Sequence, residues 1–341
     1  MTTHQHSALE SGLSRLRPWI GGPCSRALCL VALALAAAGA CAQDYPSRPV
    51  RLIVAFAPGG SVDLVSRLVG DKVGESLRQP VVIDNRPGAG GALSAEMAAN
   101  ATPDGYTIHI TSASLVVNAA LGRKLGYDPV KSFAPVTLLA STQNAIAATP
   151  ALPAKNVREL IALAKKQPGK INYGSTGVGT SGHLTAELFR SKAGIELTHV
   201  PYKSIGQTYT DLIAGRVSLF FPTLPGALPH QRAGRIRLLA VAGAKRSTAL
   251  PDVPTVAESG LPGFEASTWY PILAPAGTPK AVINTLNRNF TAALKAPEIS
   301  KRLDEMAVEA VGSTPAQLAA HIKAELVKWT DAVKIAGVRT E

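Results

Sequence analysis

Two glycine-rich turns contain the residues best suited to bind a small anion. The first is Pro58-Gly59-Gly60-Ser61-Val62-Asp63, which stands between an apolar run of strand length and a helical pattern. Glycine permits a positive φ or a close approach of the backbone to a ligand, and Ser61 is placed to cap the following helix. The free N–H groups and the positive dipole end of that helix would hold a carboxylate without a lysine. The alternative is an ordinary tight turn between a strand and a helix.

Asp63 falls in the first turn of this predicted helix, where a negative charge suits the helix terminus. The same charge would repel a bare carboxylate placed close to it. We therefore expect Asp63 to organise the turn, or to accept a hydrogen bond from a ligand donor or a bridging water.

The second turn runs from Gly174 to His183, again between a strand pattern and a helical pattern. Its glycines form a G-x-G-x-x-G spacing, but the next strand ends in Thr198-His199-Val200-Pro201, with no acidic residue to bind a ribose. A dinucleotide site is therefore unsupported, whereas oxyanion binding needs only loop amides and hydroxyls. The candidate groups are Gly179 and the side chains of Ser175, Thr176, Thr180 and Ser181.

Two further features of these loops have more than one interpretation. His183 could donate to a ligand carboxylate, but a helix-capping or core histidine fits the sequence equally well. The stretch Asn85 to Gly91 is rich in the same residue types. It could line a site or form a structural turn that Arg86 braces.

Motifs for catalysis or metal binding are missing from the sequence. It contains no H-E-x-x-H, no G-x-S-x-G and no G-x-x-x-x-G-K-[ST] pattern. We therefore predict no catalytic residue, no metal and no cofactor. A hydrolase or isomerase with a scattered constellation is the alternative function.

The N-terminal segment is typical of a secretory signal peptide. Arg15, Arg17 and Arg26 precede a largely apolar, uncharged stretch from Ala27 to Ala42. Ala40-Cys41-Ala42 fits a cleavage site that would make Gln43 the mature N-terminus, although Cys41 could instead carry a lipid. The three cysteines of the chain all fall in this segment, so a cleaved protein has no thiol or disulfide chemistry. These features predict a periplasmic protein.

The net charge of +12 favours anionic partners. Removing residues 1–42 takes away three arginines and Glu10, which leaves +10 on the remaining chain. The basic residues are scattered and aromatic residues make up only 5 % of the sequence, which argues against nucleic acid.

The remaining chain of roughly 299 residues suits two lobes. Strand patterns alternate with helical patterns, which predicts parallel sheets covered on both faces. Two extended segments, Phe133 to Pro150 and Phe264 to Pro275, are predicted to cross between the lobes. Two closing helices, around 282–294 and 318–333, would return to the first lobe and leave a cleft that closes by hinge motion. Thr314 is the expected N-cap of the last helix and Gly337 its stop.

Nine short motifs carry a resemblance to a known family. They are Tyr45-Pro46-x-Arg48-Pro49, Pro58-Gly59-Gly60-x-x-Asp63, Asn85-Arg86-Pro87-Gly88-Ala89-Gly90-Gly91, Pro103-Asp104-Gly105-Tyr106, Tyr127-Asp128-Pro129, Pro168-Gly169-Lys170, His199-Val200-Pro201-Tyr202-Lys203, Leu250-Pro251-Asp252-Val253-Pro254-Thr255 and Ala274-Pro275-Ala276-Gly277-Thr278-Pro279. In this order they resemble the Bug family, the periplasmic solute-binding receptors of tripartite tricarboxylate transporters.

The resemblance implies an α/β type II periplasmic-binding-protein fold, with two doubly wound lobes joined by two crossing segments. Lobe 1 would comprise residues 43–145 and 267–341, and lobe 2 residues 146–266. A small organic carboxylate would bind between them, held by the two glycine turns and partly through bridging waters. The strand end at Thr111 and Ser112 would line the first-lobe side. The expected partners are membrane transporter subunits or a sensor kinase, and the receptor itself would be a monomer.

Departures from the family pattern fall where the ligand would be discriminated. The chain has Ser204 after Tyr-Lys where a glycine is usual, Pro222 and Thr223 where an acidic residue is common, and Pro271 in place of a glycine. Pro222 and Trp269 are therefore further candidate ligand contacts. An amino-acid ligand becomes less attractive, because a buried ammonium needs a negative partner. An aromatic, aliphatic or hydroxylated carboxylate is the preferred ligand.

Overall fold

The computed structural model describes residues 45–336. The predicted leader, its cleavage site and Gly337 lie outside the described residues. The strands β1 to β11 are Val50–Val54, Val81–Asn85, Thr107–Ile110, Phe133–Gln143, Ala145–Ala148, Asn172–Ser175, Thr198–Pro201, Leu219–Phe220, Arg237–Val241, Ser267–Pro275 and Val308–Ala310. The helices α1 to α10 are Ser61–Leu77, Ala92–Ala99, Ser114–Ala120, Val157–Lys166, Ser181–Ala193, Ile205–Ile213, Leu224–Arg232, Lys280–Leu294, Pro297–Glu305 and Pro315–Ala336.

The strands form two sheets. A six-stranded sheet has the order β11-β4-β10-β3-β1-β2, and a five-stranded sheet has the order β7-β6-β8-β5-β9. Strands β2, β1 and β3 are parallel, as are β7, β6 and β8. The parallel pairing predicted from the sequence holds for these strands, but each sheet is mixed, because β10 runs antiparallel to β3 and β4, and β5 runs antiparallel to β8 and β9.

Helices cover both faces of each sheet, because their apolar stripes pack against the strands. On the six-stranded sheet, α1 and α8 pack on one face, and α3 and α10 pack on the other. On the five-stranded sheet, α4 and α5 contribute to one core, and α6 and α7 to the second. The doubly wound arrangement expected from the sequence is therefore present.

Two segments carry the chain between the sheets. Strand β4 of the larger sheet continues through Asn144 into β5 of the smaller one, and the return leads through Ala266 into β10. The two passages are joined by a hydrogen bond of 3.3 Å from the Asn144 amide to the Ala266 carbonyl. The predicted crossings thus lie side by side, and the lobe boundaries assigned from the sequence stay a prediction.

Local capping sets several helix starts. Asn156 accepts the Glu159 amide at 2.9 Å at the start of α4. Thr314 accepts the Gln317 amide at 3.2 Å, while its own amide donates to the Gln317 side chain. The predicted N-cap of the last helix is therefore confirmed.

Four elements were not anticipated, namely α3, α7, α9 and β11. Helix α3 begins in the serine-rich stretch after β3, and α7 contains Pro225 in its first turn and Pro229 within it. Serine and proline disfavour helix in isolation, so only packing against the sheets reveals these helices. No helix among residues 45–336 is both long enough and apolar enough to span a membrane.

Candidate functional site

A cavity of about 570 Å³ lies between the two sheets. Its volume is within the range of small-molecule pockets. One side is formed by the β1–α1 turn, the Pro87–Gly91 loop, Ser112 and Arg123. The other side is formed by the turn before α5 and by segments 202–205 and 220–223, while Thr268 and Tyr270 of β10 complete the lining.

The first glycine turn is held together by Asp63. This side chain is 2 % exposed, and its Oδ2 accepts the Gly59 amide at 2.9 Å. Arg67 and the Asn85 side-chain amide also donate to it, at 3.0 Å and 2.9 Å. The sequence expectation that Asp63 organises the turn matches this geometry.

Hydrogen bonds stabilise the ionised form of the Asp63 carboxyl group. Burial by itself raises the pKa of this carboxyl, but the hydrogen bonds from Arg67, Gly59 and Asn85 outweigh it, and the pKa falls below 3.8. Asp63 is therefore an anion that is already paired.

Ser61 does not cap α1, which corrects the sequence expectation. The N-cap residue is Gly60, and Ser61 is the first residue of the helix. Its hydroxyl instead accepts hydrogen bonds from Tyr270 at 2.9 Å and from Thr223 at 3.0 Å. Because Thr223 follows a strand of the other sheet, this cluster links the two sides of the cavity.

The second glycine turn uses several of its hydroxyls internally. Ser175 is fully buried, and its Oγ lies 2.6 Å from His199 Nε2 and accepts the Gly177 amide at 3.1 Å. Thr180 is the N-cap of α5, where its Oγ1 accepts the His183 amide at 3.4 Å. These contacts shape the turn and leave the first amides of α5, at Ser181 and Gly182, beside the cavity.

His183 lies behind the second turn and is 5 % exposed. Its ring centre is 4.6 Å from that of His199. Burial, with a smaller contribution from His199, lowers the pKa of His183 to about 4, so the ring is neutral near pH 7. Of the alternatives left open by the sequence, the core histidine agrees best with this position.

Apart from Trp269, the predicted contact residues divide into two groups. Six line the cavity, namely Gly60, Ser61, Ser112, Thr176, Thr180 and Pro222. Seven belong to the same turns and strand ends without lining it, namely Pro58, Gly59, Asp63, Thr111, Ser175, Gly179 and His183. Asp63 and Ser175 show the role of this second group, since each fixes the backbone of a turn that does line the cavity.

Trp269 lies on the opposite face of β10. Its indole Nε1 donates to Glu325 of α10 at 2.9 Å, within the core of the larger sheet. Successive side chains of a strand point to opposite faces, so its neighbours Thr268 and Tyr270 line the cavity instead. The structure therefore contradicts the expectation for Trp269, because the two-residue alternation along a strand does not by itself show which side chains face the cavity.

The stretch Asn85 to Gly91, which the sequence left open as a site-lining segment or a structural turn, combines both roles. The Pro87–Gly91 loop lines the cavity, while Arg86 pairs with Asp84 at 2.9 Å and braces the strand before that loop. Among the described residues, Arg123 and Lys203 are the charged side chains of the lining. Arg123 carried no sequence signal, because it reaches the cavity from the end of a helix that the pattern did not predict.

Contacts across the cavity mouth join the Pro87–Gly91 loop and the second turn. Arg123 Nη1 donates to Asn118 Oδ1 at 2.8 Å, to the Ala89 carbonyl at 3.2 Å and to the Val178 carbonyl at 3.4 Å. A Cβ atom on Gly90 would come within 2.7 Å of the Val178 oxygen. The close approach therefore requires glycine at this position. Residues 45–336 contain no cluster of three or more potential metal ligands.

The sequence and fold match a known family over most of the chain. A profile of proteins described as tripartite tricarboxylate transporter family receptors matches residues 65–338. The chain belongs to this family. The resemblance inferred from the nine motifs is thus confirmed, and this receptor can be compared with its solved relatives.

Solved structures that are similar to this receptor include the following three. An adipate-bound protein of R. palustris is 38 % identical, with a TM-score of 0.84 over 87 % of this chain and 99 % of that one. The periplasmic binding protein BugD is 33 % identical, with a TM-score of 0.84 over 87 % of this chain and all of that one, at 100 %. Malate-bound MatC from Rhodopseudomonas palustris is 31 % identical, with a TM-score of 0.81 over 85 % and 100 % of the two chains. The predicted periplasmic-binding-protein fold is confirmed.

Proposed function

We propose that this receptor binds a small organic carboxylate in the cavity between its two sheets, without converting it. The main observation in support is that the N-termini of two helices lie at the same cavity. Helices α1 and α5 both begin in its lining. The backbone N–H groups of Ser61, Val62, Ser181 and Gly182 belong to the first turns of these helices, where no carbonyl of the same helix is available to accept their hydrogen bonds. Their positive dipole ends suit a negative ligand group.

The charges of the lining support the same ligand class. Arg123 and Lys203 contribute positive charge, and the described lining contains no aspartate or glutamate. Asp63 lies nearby but is already paired with Arg67 and the turn amide. Adipate and malate, the ligands of two relatives at 38 % and 31 % identity, are both carboxylates.

A screen of ligand-dependent melting temperature tests this proposal. A ligand that binds only the folded state stabilises it by RT ln(1 + [L]/Kd), about 2.7 kcal/mol at a concentration of 100 Kd. We expect at least one mono-, di- or tricarboxylate to raise Tm, and its neutral amide analogue to have no effect. A shift with neutral sugars or metal ions and none with carboxylates would contradict the proposal.

We also propose that the protein has no hydrolase or isomerase activity. The nearest arrangement to a nucleophile and base is Ser175 with His199, whose Oγ and Nε2 atoms are 2.6 Å apart. Ser175 does not line the cavity, and its Oγ already accepts the Gly177 amide, so it is not placed to attack a bound substrate. Turnover of a panel of esters and carboxylic acids, abolished by Ser175→Ala, would show the opposite.

We propose a periplasmic location, with the leader removed at Gln43 and ligand capture accompanied by hinge motion at the two crossings. The similarity to the periplasmic binding protein BugD and the leader-like sequence of residues 1–42 support this location. Cell fractionation and N-terminal sequencing of the mature protein test it, and labelled palmitate distinguishes a lipid on Cys41. The receptor is expected to be a monomer that delivers ligand to transporter subunits or a sensor kinase. Pull-downs with and without ligand separate these two partners.

A further inference from the structure

One buried hydroxyl in the cavity lining has no partner. Thr268 is 0 % exposed, lines the cavity, and its Oγ1 forms no hydrogen bond with any of the described residues. Buried hydroxyl groups nearly always have a partner, so an orphan in a ligand cavity needs an explanation. A hydroxyl can donate one hydrogen bond and accept two, and all of this capacity is open at Thr268.

Three more hydroxyls of the cavity lining belong to residues that meet across the two sides of the cavity. Tyr270 is two residues further along β10, so its side chain shares the face of Thr268. The Tyr270 hydroxyl donates to Ser61 at 2.9 Å, and Thr223 donates to the same oxygen at 3.0 Å. Together these four residues, Thr268, Tyr270, Ser61 and Thr223, form a group of neutral hydroxyls, which we call the hydroxyl wall.

The hydroxyl wall is suited to a neutral group. The charged side chains of the described lining, Arg123 and Lys203, are not members of it. A charge buried without an opposite charge is costly, whereas a hydroxyl or carbonyl oxygen needs only hydrogen bonds. Ser61 also opens helix α1, so the wall adjoins the amides proposed to hold the carboxylate.

We propose that Thr268 and the hydroxyl wall bind a hydroxyl or carbonyl oxygen close to the carboxylate of the solute, and so select hydroxy or oxo acids over their deoxy analogues. This inference rests on the proposed carboxylate binding and adds a second contact to it. Thr268 determines specificity because its hydroxyl forms a hydrogen bond with the oxygenated ligand and has no hydrogen-bond partner when the deoxy analogue is bound.

Titration calorimetry with matched ligand pairs tests the inference on the mature chain. Suitable pairs are malate with succinate, lactate with propionate, 3-hydroxybutyrate with butyrate, and mandelate with phenylacetate. For at least one pair we expect the native protein to bind the oxygenated acid about tenfold tighter or more, because the unsatisfied hydroxyl penalises the deoxy ligand. In Thr268→Val this ratio should fall to near one, through weaker binding of the oxygenated acid and unchanged binding of its partner.

Thr149→Val is the matched control. Thr149 is also a buried threonine with an unpartnered Oγ1, but it does not line the cavity. Its replacement should leave the ratio at the native value. Tyr270→Phe keeps the ring in the core and removes the second hydroxyl, so it should lower the ratio as well.

The outcomes separate this inference from the function on which it rests. If carboxylates bind but no pair is discriminated, or if Thr268→Val keeps the native ratio, the hydroxyl wall does not select the ligand and only this inference is wrong. The orphan hydroxyl then binds water alone. If no carboxylate binds to the native protein, the proposed function and this inference fail together.

Discussion

The side-chain carboxylate of Asp63 holds the first glycine turn in shape. The Asp63 carboxylate accepts hydrogen bonds from Gly59, Arg67 and Asn85, all of which lie on its own side of the cavity. The turn is thereby fixed before a ligand arrives, which lowers the entropic cost of binding. Asp63 and Ser175 therefore position the backbone of the two turns that line the cavity.

Replacing Asp63 by asparagine should destabilise the protein by about 2 kcal/mol, the cost of weakening charge-assisted hydrogen bonds in a buried place. The pKa of Asp63 is lowered in the folded state, so its stabilisation is present above 3.8 and is lost as the pH falls through the lower folded value. The difference between native and variant should thus shrink in acid. Urea unfolding at pH 7 and at pH 3 measures it.

Asp71→Asn is the control for Asp63→Asn. Asp71 is an exposed carboxylate on the same helix, so its loss should change stability by less than about 0.5 kcal/mol. Equal effects of the two substitutions at pH 7 would contradict the role given to Asp63.

At the scale of elements, the cavity mouth depends on the close approach of two loops. The Pro87–Gly91 loop and the turn before α5 meet at Gly90 and Val178, and Arg123 bridges them. A contact of this kind, between loops of different sheets, would form only when the two sides of the cleft are together. We therefore expect it to contribute to ligand retention.

Gly90→Ala should weaken ligand binding about tenfold or more, because its Cβ would overlap the Val178 carbonyl in the arrangement seen here. The substitution also places alanine at a φ of +63°, which costs about 1 kcal/mol of stability. Calorimetry gives the change in affinity, and thermal unfolding gives the change in stability.

Gly194→Ala separates these two effects. Gly194 has a φ of +59°, but a Cβ there would meet no atom within 4 Å. It should lose similar stability and keep the native affinity. If both variants bind ligand as tightly as the native protein, the contact at the mouth does not retain the ligand.

For the whole molecule, burial of histidines sets the response to acid. All five histidines of the described residues have a pKa below 6.5, in each case mainly through burial. For His109 and His183 the pKa falls to about 4. These rings are neutral in the folded protein and protonate first in the unfolded chain.

The free energy of unfolding should therefore decrease as the pH falls from 6.5 towards 4. Each histidine that stays neutral in the folded state contributes a slope of about 1.4 kcal/mol per pH unit, since the unfolded chain binds the extra proton. Denaturant titrations between pH 7 and pH 4.5 measure this slope. The variant His183→Gln should show a slope smaller by about 1.4 kcal/mol per pH unit, the contribution of one histidine. A stability that is constant over this range would refute the prediction.

Much of the architecture was predictable because it depends on local patterns. Apolar runs gave the strands, helical spacing gave α1 and α10, and the absence of helix signals indicated the two crossings. The antiparallel pairing of β10 was not predictable, since it depends on which strands become neighbours after the chain has crossed. Helices α3 and α7 were missed because serine and proline residues weakened the local pattern that tertiary packing then overrides.

The two turns beside the cavity were recognisable from the sequence. It assigned Gly59, Gly60 and Asp63 to the turn before α1 and a second glycine turn to the start of α5, and both turns contribute residues to the cavity lining. The sequence could not tell which side of a strand faces the cavity, so Trp269 was chosen in place of Thr268 and Tyr270. The sequence also could not show that the Ser61 hydroxyl accepts hydrogen bonds from Tyr270 and Thr223, which are distant along the chain.

The sequence by itself determined the family, the doubly wound fold and the two glycine turns, because these depend on residue types and spacings that are local in the chain. Only the tertiary structure decided which hydroxyls meet between the sheets, which glycines allow the loops to touch, and which polar atom is left without a partner. These depend on contacts between residues as far apart as Ser61 and Tyr270. Such contacts are set by how the sheets pack, and that packing brings together the residues of the hydroxyl wall.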